Sequence, residues 1–378
     1  GKQDLRQLVS AVGGDQEKRH GIILAKSIPA KKYHIQTGET VVSAKEKCPD
    51  LVLVPPNYDL YNRSSKALIK LLSEYTDKIE QYSIDEAFLD MTGCCQDPIT
   101  TAYEIKNRVH AELGFTVNIG VSENKLLAKM ASDFEKPDKV HTLFTNEIKD
   151  KIWPLPVSDL FMIGKSSSKK LNELGILTIK DLATIDSSYL YKYFKNRAIQ
   201  MIESANGIDN SKVEYEYTDP KSISSSTSFA YNYKTKEEIY PILLELSKEI
   251  TIKLKNKKMY TSNVSIWIKY TDFTKISKQT TLNNPTDEIN DIYNNSIKLF
   301  NSIWNEEPIR ALCVAISSFS KTNAVQLNLF NNNISKQKII KHDEKLDKIV
   351  SELNNKYKGI ITYANKIKKE GHYEQRNN

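Results

Sequence analysis

At 378 residues the chain is long enough for two to four domains, each with its own core. Lysine and arginine (54) outnumber aspartate and glutamate (47), and the resulting net charge of +7 suits a polyanionic partner without requiring one. The longest apolar runs, such as Leu51-Val52-Leu53-Val54, are far too short to cross a bilayer, which excludes a membrane-spanning helix. Cys48, Cys94, Cys95 and Cys313 form no Cys-x-x-Cys pair and have no histidine at ligand spacing. Ordinary thiols therefore outrank a redox pair at Cys94-Cys95. With no charged-then-apolar leader at the start, a reduced, cytoplasmic protein without membrane contacts is expected.

In chain order, residues 21–25 read as a strand and 29–33 as the start of a short helix, with Pro49, Pro55 and Pro56 marking turns. Between 62 and 77, Leu68, Ile69, Leu71, Leu72 and Tyr75 share one helical face. Residues 78–82 and 87–91 then read as two short strands. The polar Ser83-Ile84-Asp85-Glu86 between them is a candidate hairpin tip. Neighbours on a straight strand point to opposite faces, so Asp85 and Glu86 serve one site only if the chain turns there. Two carboxylates converging at a sheet edge form a hard-oxygen site suited to Mg²⁺ carrying phosphates. The plain alternative is a pair of solvated turn residues.

A helix near 99–113 and a strand over 115–121 come next, after which Ser122 is expected to cap a helix running to about residue 134. Alternating helices and strands up to about 142 indicate one α/β or α+β unit. Residues 143–215 read as small and all-helical. Within them, 159–176 have the layout of helix, tight turn, helix and glycine turn, around Ile163-Gly164-Lys165. Turn amides at a helix N-terminus can bind a DNA phosphate without reading bases, although any αα-hairpin shares this pattern. A weaker second copy is read from 194 to 209. The polar stretch 211–227 is taken as a linker. Another α+β unit follows over 228–320, with helices near 236–257 and 287–304 and strands at 263–270 and 309–317. Lys253, Lys255, Lys257 and Lys258 gather at a helix end that can track phosphates or simply face water. Beyond 320 the sequence is polar and Asn-rich, with an apolar island, Gln326-Leu327-Asn328-Leu329-Phe330, before a helix near 342–356.

The run Tyr82-Ser83-Ile84-Asp85-Glu86-Ala87-Phe88-Leu89-Asp90 resembles the palm motif of the Y-family translesion DNA polymerases, the DinB and UmuC group. The block from Gly120-Val121-Ser122-Glu123-Asn124-Lys125 to Ser132, the Lys136-Pro137 that follows and the island at 326–330 are similar to that family as well. The resemblance covers nearly the whole chain, with its parts in the family's order. It implies an α+β multidomain, right-hand polymerase: fingers (1–57), palm (58–142), helix-hairpin-helix thumb (143–215), linker (216–227), α+β little finger (228–320) and a tail with a clamp-binding peptide (321–378).

The activity so implied is template-directed DNA synthesis past damaged bases, within DNA repair and the SOS response, on primer–template DNA and deoxynucleoside triphosphates. Asp85 and Glu86 would be the catalytic, metal-holding carboxylates for two Mg²⁺ ions. Lys136 and Lys31 would touch the triphosphate, and Ile163, Gly164 and Lys165 the DNA. Gln326, Leu327, Leu329 and Phe330 would dock on the bacterial sliding clamp, and the protein would act as a monomer.

The chain departs from the family pattern at several positions. Lys31 replaces an arginine, keeping the charge but not its bidentate fork. Ile28 stands where many members have a phosphate-binding tyrosine, and Met162 where the thumb turn usually has glycine. Nothing in residues 1–30 resembles the family's Asp-x-Asp-x-Phe-Phe segment, which carries the first metal carboxylate and adjoins the residue that screens out ribonucleotides. By that alignment residue 1 falls within the fingers, so one strand and one helix are expected to be missing. The rival expectation is therefore a non-catalytic, DNA- and clamp-binding remnant of the same fold.

Overall fold

The computed structural model describes residues 4–14, 21–94, 97–216 and 218–323. The peptide at Gln326, Leu327, Leu329 and Phe330, the helix expected near 342–356 and Cys95 lie outside the described residues. The buried side chains that are described gather into four cores of an α+β protein, taken here in chain order.

The first core lies under a three-stranded sheet of order β2-β1-β3, with β1 (Ser10–Gly13) antiparallel to β2 (Ile23–Lys26) and parallel to β3 (Val52–Val54). Between β2 and β3 run α1 (Ile28–Lys31) and α2 (Val41–Lys47), capped by the Ser27 and Thr40 hydroxyls. Ile23, Ile35, Val41 and Leu51 fill the space beneath.

In the second, α3 (Tyr58–Leu72) and α4 (Pro98–Arg108) pack Leu68, Leu71, Leu72 and Ile105 against two short ribbons. One ribbon is the antiparallel pair β4 (Ile79–Gln81) and β5 (Ala87–Leu89), in register Ile79 to Leu89. The other is the parallel pair β6 (Ile119–Val121) and β7 (Val140–Thr142). The helix begun by α4 extends to Leu113 as a π-helical turn that ends on left-handed Gly114. The helix after β6, α5 (Lys125–Ser132), is capped by Asn124, whose side chain accepts the Leu127 N–H. The expected cap, Ser122, instead donates its hydroxyl to the Leu143 carbonyl across the neighbouring strand. Two residues separate it from the helix start, so its oxygen serves the β6–β7 link.

The third core is helical: α6 (Ile148–Lys151), α7 (Lys165–Glu173), α8 (Ile179–Thr184), α9 (Ser187–Phe194) and α10 (Arg197–Ala205). Leu126, Leu127, Met130 and Ala131 of α5 belong to this core too. Their spacing puts them on one face of α5, so that helix is shared between the ribbons and the helical module.

The fourth core lies beneath an antiparallel sheet of order β10-β9-β11-β8. It comprises β8 (Ser222–Tyr233), α11 (Lys236–Asn256), β9 (Tyr260–Tyr270), β10 (Lys275–Thr286), α12 (Ile289–Ile303) and β11 (Ile309–Ser320). In β9 the inward Val264, Ile266 and Ile268 alternate with half-exposed Ser265, Trp267 and Lys269, as a one-sided sheet requires. Residues 222–227, expected as linker, are the first half of β8 and pair with β11. A serine-rich edge strand needs few apolar side chains, and here only Ile223 and Phe229 are buried. Among the described residues no helix is long and apolar enough to cross a membrane.

Candidate active site and nucleic-acid interface

The β4–β5 ribbon closes over Ser83-Ile84-Asp85. The Glu86 carbonyl accepts N–H bonds from Tyr82 (3.0 Å) and Ser83 (3.1 Å), which pinches the loop shut. The Ser83 hydroxyl donates to Asp85 Oδ1 at 2.7 Å, and Asp85 is exposed at the tip. Glu86, 40% exposed, follows at the base of the turn. The chain thus turns between the two strands, as convergence of the carboxylates requires.

The side chain that meets Glu86 comes from α5. Its apolar face is turned to the helical core, which leaves Lys125 and Lys129, four residues apart, on the side toward the ribbon. Lys129 Nζ lies 3.0 Å from Glu86 Oε1 and 2.7 Å from Asp133 Oδ2, while Asp133 Oδ1 is 2.6 Å from Lys136 Nζ. Four charges therefore alternate from the hairpin to Lys136. Burial of Lys129 disfavours its charge, but hydrogen bonds to Asp133 and Glu86 outweigh that cost and hold its pKa above the ordinary lysine value. For Asp133 burial acts upward, yet the bonds from Lys129 and Lys136 prevail and its pKa is lowered. The Lys129 ammonium also lies 5.9 Å from the Phe161 ring centroid, which places the helical module beside this row.

A second pair anchors the same ribbon. Glu80 on β4 meets Lys125 at 2.6 Å, both largely buried. Glu80 also accepts the Glu214 N–H (2.7 Å), and Lys125 donates to the Lys212 carbonyl (3.2 Å). Asp209 accepts the Leu126 N–H and Asn124 donates to the Gly207 carbonyl, so the segment leaving α10 is strapped along the start of α5. Residue reading had not singled out Glu80, Lys125, Lys129 or Asp133. The Lys-x-x-x-Lys-x-x-x-Asp spacing from 125 to 133 was the available signal.

Asp85 and Glu86 offer hard oxygens, which suits a divalent ion held by one or two carboxylates and completed by water and substrate phosphates. The ammonium of Lys129 against Glu86 is a stand-in for such a cation and shows that the position tolerates positive charge. Among the described residues no group of three or more His, Cys, Asp or Glu side chains gathers into a metal cluster. Lys31 ends α1 exposed, and no described contact brings it to the hairpin or to Lys136.

In the helical module, Met162 has φ +73°, a left-handed conformation that explains why glycine suits this turn. The Arg197 guanidinium donates to the Met162 carbonyl at 2.8 Å and ties this turn to α10. Gly164 opens α7 without a side-chain cap, and a Cβ there would meet open space. The first amides of α7 thus face outward with Lys165 beside them, an arrangement able to take an anion. The stretch 194–209, read as a weaker second copy, runs from the last residue of α9 through a turn with Lys195 at φ +53°, α10 and left-handed Gly207. Among the lysines closing α11, Lys255 faces Glu288 at 3.4 Å.

Residues 1–133 match the model of the impB/mucB/samB family, residues 220–329 match the model of that family's C-terminal domain, and residues 145–176 match the family's helix-hairpin-helix motif. DNA polymerase IV of Clostridium acetobutylicum is 42% identical over 356 residues, which is 94% of this chain and 89% of that protein. DNA polymerase IV 1 of Bacillus subtilis is 35% identical over 361 residues, covering 93% and 85%. Among solved structures, a Y-family DNA polymerase chimera of Dbh and Dpo4 is similar in fold, with a TM-score of 0.73, 23% identity and coverage of 85% of this chain and 92% of that one.

Proposed function

Because the chain belongs to the impB/mucB/samB family of Y-family DNA polymerases, we propose that it is a DNA-directed DNA polymerase that copies templates past damaged bases in DNA repair. The observation that carries the reading is the turn that presents Asp85 and Glu86 beside the Lys129–Asp133–Lys136 row. Asp85 and Glu86 would hold Mg²⁺, two ions in the family's scheme, and divalent ions there lower the charge cost at the attacking 3′-oxygen and the leaving pyrophosphate. Lys136, half-exposed and oriented by Asp133, binds the triphosphate, with Lys31 as a second cation for the same phosphates. The test is extension of a primed, lesion-bearing template by the wild-type protein and by Glu86→Ala. The rival reading is a DNA- and clamp-binding protein without catalysis, and the same experiment decides between them.

In this reading the fingers, palm, thumb and little finger are proposed for the regions of the four cores in chain order, with α5 shared between palm and thumb. DNA is gripped at the thumb by the amides around Ile163, Gly164 and Lys165. Grip of this kind is electrostatic and blind to sequence. Affinity for primer–template is therefore expected to fall about tenfold or more between 50 and 200 mM salt and to vary little between sequences, as read by fluorescence anisotropy. A salt-independent affinity would refute it.

Gln326, Leu327, Leu329 and Phe330 are proposed to dock on a bacterial sliding clamp, with the protein acting as a cytoplasmic monomer. The physical support is a polar tail carrying two adjacent apolar anchors and a glutamine able to fix their register. Replacing Leu329 and Phe330 by Ala is expected to abolish clamp binding and leave the melting temperature unchanged. Clear loss of thermal stability would mean that the segment is structural instead.

A further inference from the structure

The row Glu86–Lys129–Asp133–Lys136 contains two cations and two anions in alternation, each within 3.0 Å of the next. One end is a carboxylate proposed to hold a metal ion, the other a lysine proposed to hold phosphate. The shared member is Lys129, whose side chain is only 14% exposed and whose ammonium lies 3.0 Å from Glu86 and 5.9 Å from the Phe161 ring centroid. Its ammonium is not spread evenly: Asp133 is nearer than Glu86, by 2.7 Å against 3.0 Å. It can therefore give up Glu86 and stay charge-paired.

We infer that Lys129 is a positioning residue that serves as a resident cation for Glu86, keeping the carboxylate neutralised and in place until a divalent ion displaces the ammonium onto Asp133. The inference rests on the reading of Glu86 as a metal ligand. An ammonium that must be displaced weakens binding of the ion, and in return Glu86 never stands as an uncompensated charge beside the palm. Asp133 makes the exchange reversible, since it accepts the released lysine without a change in net charge.

Direct Mn²⁺ binding tests this, measured on the full chain without DNA or nucleotide from the loss of the free-ion signal in electron paramagnetic resonance. Lys129→Met keeps the apolar stem and is expected to tighten Mn²⁺ binding about threefold to fivefold, the worth of a modest ion pair. Lys129→Gln serves as a second, polar replacement with the same expected gain. Lys129→Arg, which retains the charge, is expected to bind as the wild type does. In a Glu86→Gln background the Lys129→Met gain is expected to vanish, which separates displacement at Glu86 from general removal of positive charge. Unchanged or weaker Mn²⁺ binding in both neutral variants overturns the role of Lys129, and the Glu86 reading stands if Glu86→Gln alone weakens binding. If Glu86→Gln leaves Mn²⁺ binding unaltered, Glu86 is not a ligand and both readings fall.

Discussion

Glu86→Ala is expected to lower primer extension by at least about a hundredfold while primer–template affinity stays within about twofold of wild type. The size follows from removing a carboxylate proposed to hold the ion that stabilises developing charge, which acts in the transition state and not on bound DNA. The fold tolerates the change for a visible reason. What closes the hairpin is the Glu86 backbone carbonyl, bonded to Tyr82 and Ser83, and alanine keeps it. Lys129 loses one partner but retains Asp133. Single-nucleotide incorporation, anisotropy and a melting curve measured together separate the outcomes. Wild-type incorporation by this variant would sink the assignment of Glu86, and an early melt would make the loss uninformative about chemistry.

Gly120→Ala is expected to destabilise the protein by about 3 kcal/mol or more, lowering the transition that contains the palm by roughly 6–12 °C. Gly120 lies on β6 where α5 crosses it, and an added Cβ would stand 1.8 Å from the Ala128 carbonyl oxygen and 2.7 Å from the Ser132 nitrogen. Both are backbone atoms of α5, so no side-chain rotation relieves the overlap, and the helix must shift by more than an ångström. Because α5 carries Lys125 and Lys129 on one face and part of the helical core on the other, the shift also disturbs the Glu80 and Glu86 pairs. Calorimetry of the variant against wild type checks this. An unchanged melting profile would mean that α5 is not held against β6 as described.

The hairpin bearing Asp85 and Glu86 was legible because two short strands, one carrying Ile79 and the other Ala87-Phe88-Leu89, flank a polar tip. Helices with strong apolar faces, such as α11 and α12, were legible as well. The missed strands were the short β1, β3 and β7, and β8 and β10, the two edges of the terminal sheet. Edge strands keep one side open, so Ser222–Tyr233 and Lys275–Thr286 carry the polar, even Pro-containing, composition of a linker. The site was only half readable for a different reason. Asp85, Glu86 and Lys136 sit in recognisable strings, whereas Lys129 and Glu80 acquire meaning only when α5 is laid across the ribbon. The turn at Met162 was expected from the resemblance, but its left-handed conformation was not, since methionine does not signal a positive φ.

The strap from Gly207 to Glu214 fixes the length of a tether. With Glu214 bonded to Glu80 and β8 starting at Ser222, residues 215–221 are the connection between the strap and the terminal sheet, roughly 25 Å at full extension. A tether this short keeps the local concentration of one module at the other on the order of millimolar. If the terminal sheet grips the same duplex as the helical module, letting go with one is followed by recapture before the other releases. The Glu80–Lys125 pair, which anchors the strap at Glu214, then acts on residence time by keeping the tether from lengthening.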